Sequence, residues 1–355
     1  MADWALPFTA RYRYMRVSRT TGLECELLTN IVRGGSITRK LGTDVFEGAS
    51  LEYRGSFDIG ADLIRVYLDA TFEDGSNESC ALGTFIVNSP QRKVGGGEDG
   101  GSLVLDGRLQ ELADTDFLEG FSLPAGTNAV EAACDIVADC GLRVQYDPCD
   151  YLLGSTLTFG LGDSGGDAKN KLEAVNTLLA LAGYRSCQTD GMGTVLMVRD
   201  RSAERRCAKA SFIEGKNARF EREVREELDR SSVCNVVKVS YSSQGDTVTG
   251  YAYDDDPASP YSIPSLGRER VAKYSFSESA TQGVADSKAA ELLATQRSVL
   301  RQVTVSHVYQ PVSCGDVVCM RYASGAIFGN FEVAEQKISL ADGCRATSVL
   351  QAYER

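Results

Sequence analysis

Three glycines in the middle of the chain have the spacing of a phosphate-binding loop. Gly160, Gly162 and Gly165 form the pattern GxGxxG after a predicted strand and before a predicted helix, as in dinucleotide-binding proteins. Asp190 follows Gly165 by 25 residues, near the separation expected of a ribose ligand. A nucleotide-binding sheet needs several more parallel strand–helix–strand units, whereas a hairpin is predicted next. The pattern therefore favours a glycine-rich turn.

The only histidine, His307, is a candidate general base. It lies in the run VTVSHVY, where Val303, Val305 and Tyr309 fall on the same face of a strand. This spacing favours a packed strand residue over a catalytic one. With a single histidine in the chain, a Ser-His-Asp hydrolase is poorly supported.

Carboxylates offer two further candidate sites. Glu119 and Asp135 are of the residue type that a glycosidase pairs, but the sequence does not show that they share a cleft. Asp254–Asp256 precede Pro257 in a predicted loop and lack the spaced ligands and terminal glutamate of a calcium loop. We therefore predict no catalytic, cofactor-binding or metal-binding residues, no cofactor, and a protein that is not an enzyme.

Eleven cysteines are scattered singly, and none forms a Cys-x-x-Cys pair. With one histidine in the chain, this spacing argues against a structural zinc site. We expect reduced thiols that pack mostly as small apolar side chains. The cysteines are at positions 25, 80, 134, 140, 149, 187, 207, 234, 314, 319 and 344.

The formal net charge of −12 argues against binding of nucleic acid by phosphate neutralisation, which needs clustered Lys and Arg. It does not exclude a pore that DNA traverses without binding. The longest apolar run, about Leu178–Ala182, is too short to cross a membrane, and Met1–Arg19 has no signal-peptide core. We expect synthesis and folding in the cytosol, without membrane insertion.

Short strands and glycine-rich turns predominate in the first 110 residues. Leu63–Phe72 alternates apolar and polar side chains most clearly. The glycine-rich segment Val94–Ser102 is predicted to be the tip of a surface hairpin. Strands at this spacing favour a sandwich or a barrel. The other predicted strands here are Leu23–Val32, Leu51–Phe57, Leu82–Asn88 and Leu103–Gln110.

The pattern changes to a small α+β unit from Pro124. A helix capped by Thr127 or Asn128 is predicted to end at Gly141, and a second helix, about 168–182, to be capped by Asp167. The turn Asp190–Gly193 predicts a hairpin. The strands predicted in this unit are Leu142–Tyr146, Thr156–Phe159, Tyr184–Thr189 and Thr194–Arg199.

Strands return after the charged connector Arg199–Arg206. One helix, about Gln282–Leu300, is predicted among them, and Asp254–Pro264 is predicted to be a loop. No internal repeat is evident between this region and the first one. The predicted strands are Cys234–Tyr241, Thr247–Tyr253, Arg301–Tyr309, Asp316–Tyr322, Phe328–Ile338 and Cys344–Tyr353.

Three stretches, taken in chain order, share their pattern with one known group of proteins. The first is a strand of the form glycine, x, phenylalanine, then valine. The second is the helical unit with its glycine-ended helices and hairpin turn. The third is a Pro, Gly, Asp run before a β-segment, followed by a returning strand. They are Leu82–Val87 (LGTFIV); Asn128–Cys140 with Leu178–Tyr184 and Thr189–Gly191; and Pro311–Val318 (PVSCGDVV) with Gly329–Val333 (GNFEV).

Together these stretches resemble the tail hub family, the trimeric proteins at the centre of phage baseplates, which are related to the base of type VI secretion spikes. The resemblance implies a mainly β (α+β) fold. It implies two tube-like β-barrel domains, at 1–123 and 207–355, the second with one helix, and an inserted α+β unit at 124–206.

The resemblance also implies a homotrimer, in which three copies supply six barrels and so adapt a sixfold tail tube to a threefold spike or fibre. The expected partners are tail tube and distal tail proteins, spike or fibre proteins, and the tape measure protein. DNA would pass through without specific binding. The expected location is the host cytoplasm during assembly and then the virion tail tip.

Two other functions fit parts of the sequence. An adhesin or carbohydrate-binding protein would use the loops Gly95–Gly101 and Asp254–Pro264, where Tyr253 and Tyr261 supply aromatic side chains. An enzyme would bind a nucleotide at the glycine loop near Gly160.

Overall fold

Strands make up most of the regular structure, which confirms the mainly β expectation. The computed structural model describes residues 3–43, 45–93, 99–160, 170–201, 203, 206–216, 218–229, 233–243, 246–276, 279–296 and 299–354. No helix in these residues is long and apolar enough to span a membrane.

The N-terminal region forms seven antiparallel strands in the order β3-β4-β7-β6-β5-β1-β2. The alternating residues predicted for Leu63–Phe72 form a strand with those bounds, and Ile64, Val66 and Leu68 are fully buried. The seven strands are β1 (Phe8–Val17), β2 (Glu24–Leu27), β3 (Ile31–Lys40), β4 (Glu47–Arg54), β5 (Leu63–Phe72), β6 (Asn77–Lys93) and β7 (Gly100–Gly107).

Two long helices, one short helix and two small sheets follow in the middle of the chain. Asn128 caps the first long helix as predicted, since its side chain accepts bonds from the backbone N–H groups of Val130 and Glu131. The second long helix is capped by Asn170; the predicted cap, Asp167, lies outside the described residues. The elements are α1 (Gln110–Ala113), β8 (Phe121–Leu123), α2 (Ala129–Asp139), β9 (Val144–Tyr146), β10 (Leu157–Phe159), α3 (Lys171–Leu181), β11 (Gln188–Thr189) and β12 (Val195–Met197).

The C-terminal region contains six strands of the main sheet and a small module with its own core. The module packs one helix, with Ala285 and Ala289 buried, against a three-stranded sheet. Its elements are β15 (Val236–Ser243), β16 (Asp246–Tyr253), α4 (Ile263–Leu266), β17 (Val271–Phe276) and α5 (Gln282–Gln296). The main-sheet strands are β13 (Ala210–Ile213), β14 (Arg225–Asp229), β18 (Val299–Val308), β19 (Val317–Tyr322), β20 (Ile327–Ser339) and β21 (Arg345–Glu354).

The two strand regions join into one 13-stranded sheet, because β3 pairs with β20 in antiparallel register from Ser36–Ser339 to Lys40–Glu335. Its central part runs β14-β18-β21-β20-β3-β4-β7-β6. The sequence did not predict this continuous sheet. The domain boundaries at 123 and 206 stay predictions.

The central eight strands are a repeat of four. In the C-terminal half, β20 pairs with β21 on one side and, along its first residues, with β19 on the other. In the N-terminal half, β6 pairs with β7 on one side and, along its first residues, with β5 on the other. The order β14-β18-β21-β20 therefore matches β3-β4-β7-β6 strand for strand. The structure thus contains an internal repeat that was not evident in the sequence.

A short motif marks the repeat. Gly83–Val87 (GTFIV) and Gly329–Val333 (GNFEV) occupy the same place in the two halves, and both phenylalanines are buried. A β-bulge follows each motif, between Val87 and Ser89 in β6 and between Val333 and Glu335 in β20. Because a bulge fixes strand register, these two positions align the halves residue by residue.

Several predicted bounds were wrong. Leu23–Val32 is not one strand, since β2 ends at Leu27 and β3 begins at Ile31. The segment predicted as a strand to Gln110 ends at Gly107 and is followed by the short helix α1. The last helix ends at Gln296, and β18 begins at Val299.

Candidate functional site: an eight-stranded sheet with two free edges

His307 is a packed strand residue, as its pattern predicts. It is 3% exposed, its Nε2 lies 2.9 Å from the Ser348 hydroxyl, and its Nδ1 lies 2.8 Å from the carbonyl of Val308. Burial lowers its pKa below the ordinary value. The imidazole therefore stays neutral inside the sheet.

The glycine pattern is only partly described, because positions 161–165 lie outside the described residues. Gly160 has φ +75°, and a Cβ there would lie 2.6 Å from Cβ of Phe117. Asp190 stabilises the predicted hairpin turn and does not act as a ribose ligand. Its Oδ1 accepts hydrogen bonds from the backbone N–H groups of Met192 and Thr194. These contacts favour turn geometry over nucleotide chemistry at these residues.

The aspartates before Pro257 organise a loop. Asp254 is buried and accepts a bond from the Ser259 hydroxyl at 2.8 Å, while Asp256 accepts the N–H of Ala258 at 2.9 Å. Glu119 and Asp135 are both exposed. Among the described residues, no group of three or more His, Cys, Asp or Glu side chains is arranged to hold a metal ion.

The cysteines are free thiols, and their burial varies more than the sequence suggests. Four are fully buried, whereas Cys25 and Cys207 are exposed. Burial raises the pKa of Cys187 and of Cys314 to about 12. These two thiols therefore stay protonated and pack as small apolar groups.

A buried ionic cluster lies where the two halves of the sheet join. Arg39 on β3 donates to Glu47 on β4 at 3.1 Å, to Gln336 on β20 at 3.3 Å, and to the carbonyl of Leu82 on β6. Thr189, from the hairpin of the middle unit, donates to the other oxygen of Glu47 at 2.7 Å. The cluster thus links both halves of the sheet to the middle unit.

Burial and pairing act in opposite directions on the two charged groups of this cluster. Burial raises the pKa of Glu47, and Arg39 opposes that shift. Burial also works against the charged form of Arg39, yet the carboxylate of Glu47 holds its pKa above the ordinary value. Loss of either side chain would leave the other as a buried, unpaired charge, which costs about 3 to 5 kcal/mol.

A second set of contacts holds the hairpin turn of the middle unit against β5 and β6. Arg65 donates to the Thr84 hydroxyl at 2.9 Å and to the carbonyl of Met192 at 3.2 Å. Thr84 in turn donates to the carbonyl of Gly191 at 3.1 Å. A Cβ at Gly191 would lie 1.9 Å from the carbonyl oxygen of Ala81, so only glycine fits.

One face of the eight-stranded sheet is polar and accessible. Charged residues of both signs share this face, among hydroxyl and amide side chains. Lys40 pairs with Glu335, and Asp106 accepts a bond from Asn88 at 2.6 Å. In the described strands the charged residues include Lys40, Arg54, Arg225, Lys337, Arg345, Glu52, Asp106, Glu227, Asp229 and Glu335.

The sheet has two exposed edges at the ends of this repeat. Strand β14 pairs only with β18 among the described strands, and Arg225–Leu228 are exposed. Strand β6 pairs with β5 only as far as Ile86, so beyond that residue its side away from β7 has no described partner strand. Unpaired strand edges of this kind are ready-made sites for strand addition.

Solved structures of phage tail proteins share this fold. The tail protein from Neisseria meningitidis MC58 superposes with a TM-score of 0.68 at 15% identity, over 96% of each chain. The 43 kDa tail protein of prophage MuSo2 from Shewanella oneidensis superposes with a TM-score of 0.65 at 13% identity, over 96% of this chain and 98% of its own.

The fold also extends to type VI secretion. An E. coli component of that system, itself structurally similar to tail proteins gp27 and gp5 of bacteriophage T4, gives a TM-score of 0.50 at 10% identity, over 92% of this chain and 75% of its own. No protein-family model matches the sequence, and no curated protein does. The structural comparisons confirm the expected resemblance to tail hub proteins at the level of the fold.

Proposed function

We propose that the protein is a structural, non-enzymatic hub of a phage or prophage tail tip. The observation that carries this proposal is the repeat of four strands within one chain. Three copies of a chain that holds two such units present six, so a ring with threefold symmetry can abut a tail tube with sixfold symmetry. The shared fold with tail proteins supports the same role.

The polar face of the eight-stranded sheet suits the lining of a DNA exit channel. Its basic and acidic residues occur in similar numbers, and Lys40 is neutralised by Glu335. A face without clustered Lys and Arg gives phosphates no site at which to displace their counterions. DNA would therefore pass along it without specific binding.

The proposed partners follow from this position. The tube and distal tail proteins, and the tape measure protein, would lie on the sixfold side, and a spike or fibre protein on the threefold side. A chain of the Francisella PdpA–VgrG complex shares the fold with a TM-score of 0.56 at 8% identity and supports a spike-facing role. The protein would assemble in the host cytoplasm and remain at the virion tail tip.

Light scattering of the purified chain, over a range of concentrations, tests the proposal. A trimer of 3 × 38.3 kDa, about 115 kDa, is expected. Negative-stain images should show a ring that binds the end of the tail tube. A chain that stays monomeric at every concentration, and also fails to bind tail tubes made with their distal tail protein, would contradict the hub.

A carbohydrate-binding surface is the second candidate, and one observation favours it. Tyr251 and Tyr253 on β16 stack with their rings 6.3 Å apart, and they are 47% and 50% exposed. Exposed aromatic platforms of this kind bind sugar rings by stacking. A glycan array probed with the native chain and with Tyr251→Ala/Tyr253→Ala would show binding that is lost only in the variant.

A further inference from the structure

We propose that the exposed edge of β14 in one copy pairs with the C-terminal part of β6 in the next copy, in an antiparallel register that places Glu226 opposite Arg92, Glu227 opposite Gln91, and Leu228 opposite Pro90. This inference rests on the proposed hub. It specifies which residues of a second copy close the ring.

The template for this junction lies inside the chain. Strands β20 and β3 already join the two halves, with Gln336 opposite Arg39, Lys337 opposite Thr38, and Ile338 opposite Ile37. Backbone bonds frame this ladder at both ends, from the N–H of Leu41 to the carbonyl of Ala334 at 2.9 Å and from the N–H of Leu340 to the carbonyl of Gly35 at 3.0 Å. Since the halves repeat, β6 corresponds to β20 and β14 to β3.

The matched bulges set the correspondence on β6. The bulge ends at Ser89 in β6 and at Glu335 in β20, and these residues lie opposite Val104 and Val349 respectively. Counting onward from the bulge, Pro90 takes the place of Gln336. Gln91 and Arg92 then take the places of Lys337 and Ile338.

The neighbouring strands set the correspondence on β14. Val104 lies opposite Ser50 on β4, and Val349 lies opposite Thr304 on β18. Ser50 and Thr304 are therefore equivalent. Ser50 pairs with Ser36 and Thr304 with Arg225. Residues 226, 227 and 228 thus take the places of Ile37, Thr38 and Arg39, which gives the stated register.

The side chains that meet in this register are complementary. Residues 226–228 (EEL) carry a formal charge of −2, from two Glu, whereas residues 90–92 (PQR) carry +1, from Arg92. Glu226 accepts a bond from Arg301 at 2.5 Å through one oxygen. Leu228, 43% exposed in the single chain, meets the exposed Pro90. Opposite charges and apolar contacts between facing residues stabilise a strand pair.

Pro90 explains how the edge stays unpaired before assembly. Proline has no backbone N–H, so the pair of Leu228 and Pro90 carries one hydrogen bond fewer than its counterpart, Arg39 and Gln336. Proline and charged residues on an edge discourage indiscriminate strand addition. Only a strand that matches the remaining contacts is expected to add here.

The other end of the 13-stranded sheet does not compete for this role. Strand β2 lies outside the four-stranded repeat. Its Glu24 is already bound by Arg65 at 3.0 Å and by the hydroxyl of Tyr67 at 2.5 Å. Adding a strand there would extend the outer part of the sheet without joining two repeats.

Cysteine cross-linking of the trimer tests the register. Facing residues of an antiparallel pair have Cα atoms about 4.5 to 5.5 Å apart, within the range that a disulfide spans. A chain that carries both Gln91→Cys and Glu227→Cys should oxidise to a covalent trimer on non-reducing gels. Each single variant controls for the native thiols. The variant Gln91→Cys/Glu226→Cys is the register control, because a shift of one residue places the two thiols on opposite faces.

The outcomes separate this junction from the hub itself. If the double variant forms trimers by light scattering yet yields no covalent trimer, or if the shifted control cross-links as completely, the proposed junction is wrong while the hub stands. If neither the native chain nor the variants form trimers or bind tail tubes, the hub fails and the junction with it. A covalent trimer from the matched pair alone supports both.

Discussion

The junction inside the chain and the two free edges occupy equivalent places but differ in chemistry. Ile37 and Ile338 face each other at the internal junction and are completely buried. Their equivalents on the edges, Glu226 and Arg92, are exposed and oppositely charged. The repeat thus keeps its backbone geometry while the side chains change. This is the difference that the proposed junction requires, because the internal junction forms on folding and the edges would stay exposed until a second copy binds.

The next position along the strands shows the same contrast. Arg39 and Gln336 belong to a buried network that also anchors the middle unit through Glu47. Their edge equivalents, Leu228 and Pro90, make no comparable polar network. The internal junction therefore holds both halves of the sheet and the middle unit together. The proposed edge contact would hold only a neighbouring copy.

The largest expected effect comes from breaking the internal network. Arg39→Ala leaves the carboxylate of Glu47 buried without its charged partner, so we expect a loss of about 3 to 5 kcal/mol in unfolding free energy. Urea unfolding followed by circular dichroism would measure it. The matched variant at the edge, Leu228→Ala, should change the stability of the monomer by no more than about 0.5 kcal/mol. Equal losses at the two positions would mean that the edge position is as buried as the internal one, and would contradict this contrast.

A smaller effect should follow from the apolar pair. Ile338→Ala removes buried methyl groups and leaves a cavity, at a cost of about 2 to 4 kcal/mol. Its equivalent, Arg92→Ala, should leave monomer unfolding nearly unchanged and weaken trimer formation. Thermal unfolding and light scattering on both variants would separate the two effects. A trimer unaffected by Arg92→Ala would argue against the edge as the contact between copies.

The smallest expected effect concerns a polar position that differs between the halves. His307 corresponds to Tyr53, and its pKa is lowered by burial. The unfolded chain therefore takes up a proton near pH 6.5 before the folded chain does, and stability falls as the pH drops from about 7.5 to 5.5. His307→Tyr, which copies the other half, should flatten that slope in denaturant titrations at several pH values. If the pH dependence of stability is unchanged in this variant, a group other than His307 causes it.

The sequence was sufficient to predict elements whose buried and exposed residues follow a regular pattern within one segment. Leu63–Phe72 and the Asn128-capped helix both follow from local patterns. Strand β14 was missed because REELD is exposed and has no apolar alternation; only its pairing with β18 makes it a strand. The turn at Asp190–Gly193 was predicted, but its contact with Arg65 was not.

The candidate site could not be predicted from the sequence because it depends on contacts between residues that are far apart in the chain. Arg39 and Gln336 are 297 positions apart, and neither has a local pattern that indicates burial. The repeat was hidden for a similar reason, since few residues are the same in both halves, among them the glycine, phenylalanine and valine of GTFIV and GNFEV. Strand order and matched bulges were needed to align the rest.

The small module between β14 and β18 has an architectural consequence. The chain leaves the main sheet at Asp229 and returns at Val299, and Asp229 lies opposite Leu300 across the strand pair. The module has its own core around Ala285 and Ala289. Two adjacent attachment points make this a permissive insertion site. The module can therefore be exchanged for another small domain while the sheet beneath it keeps its register.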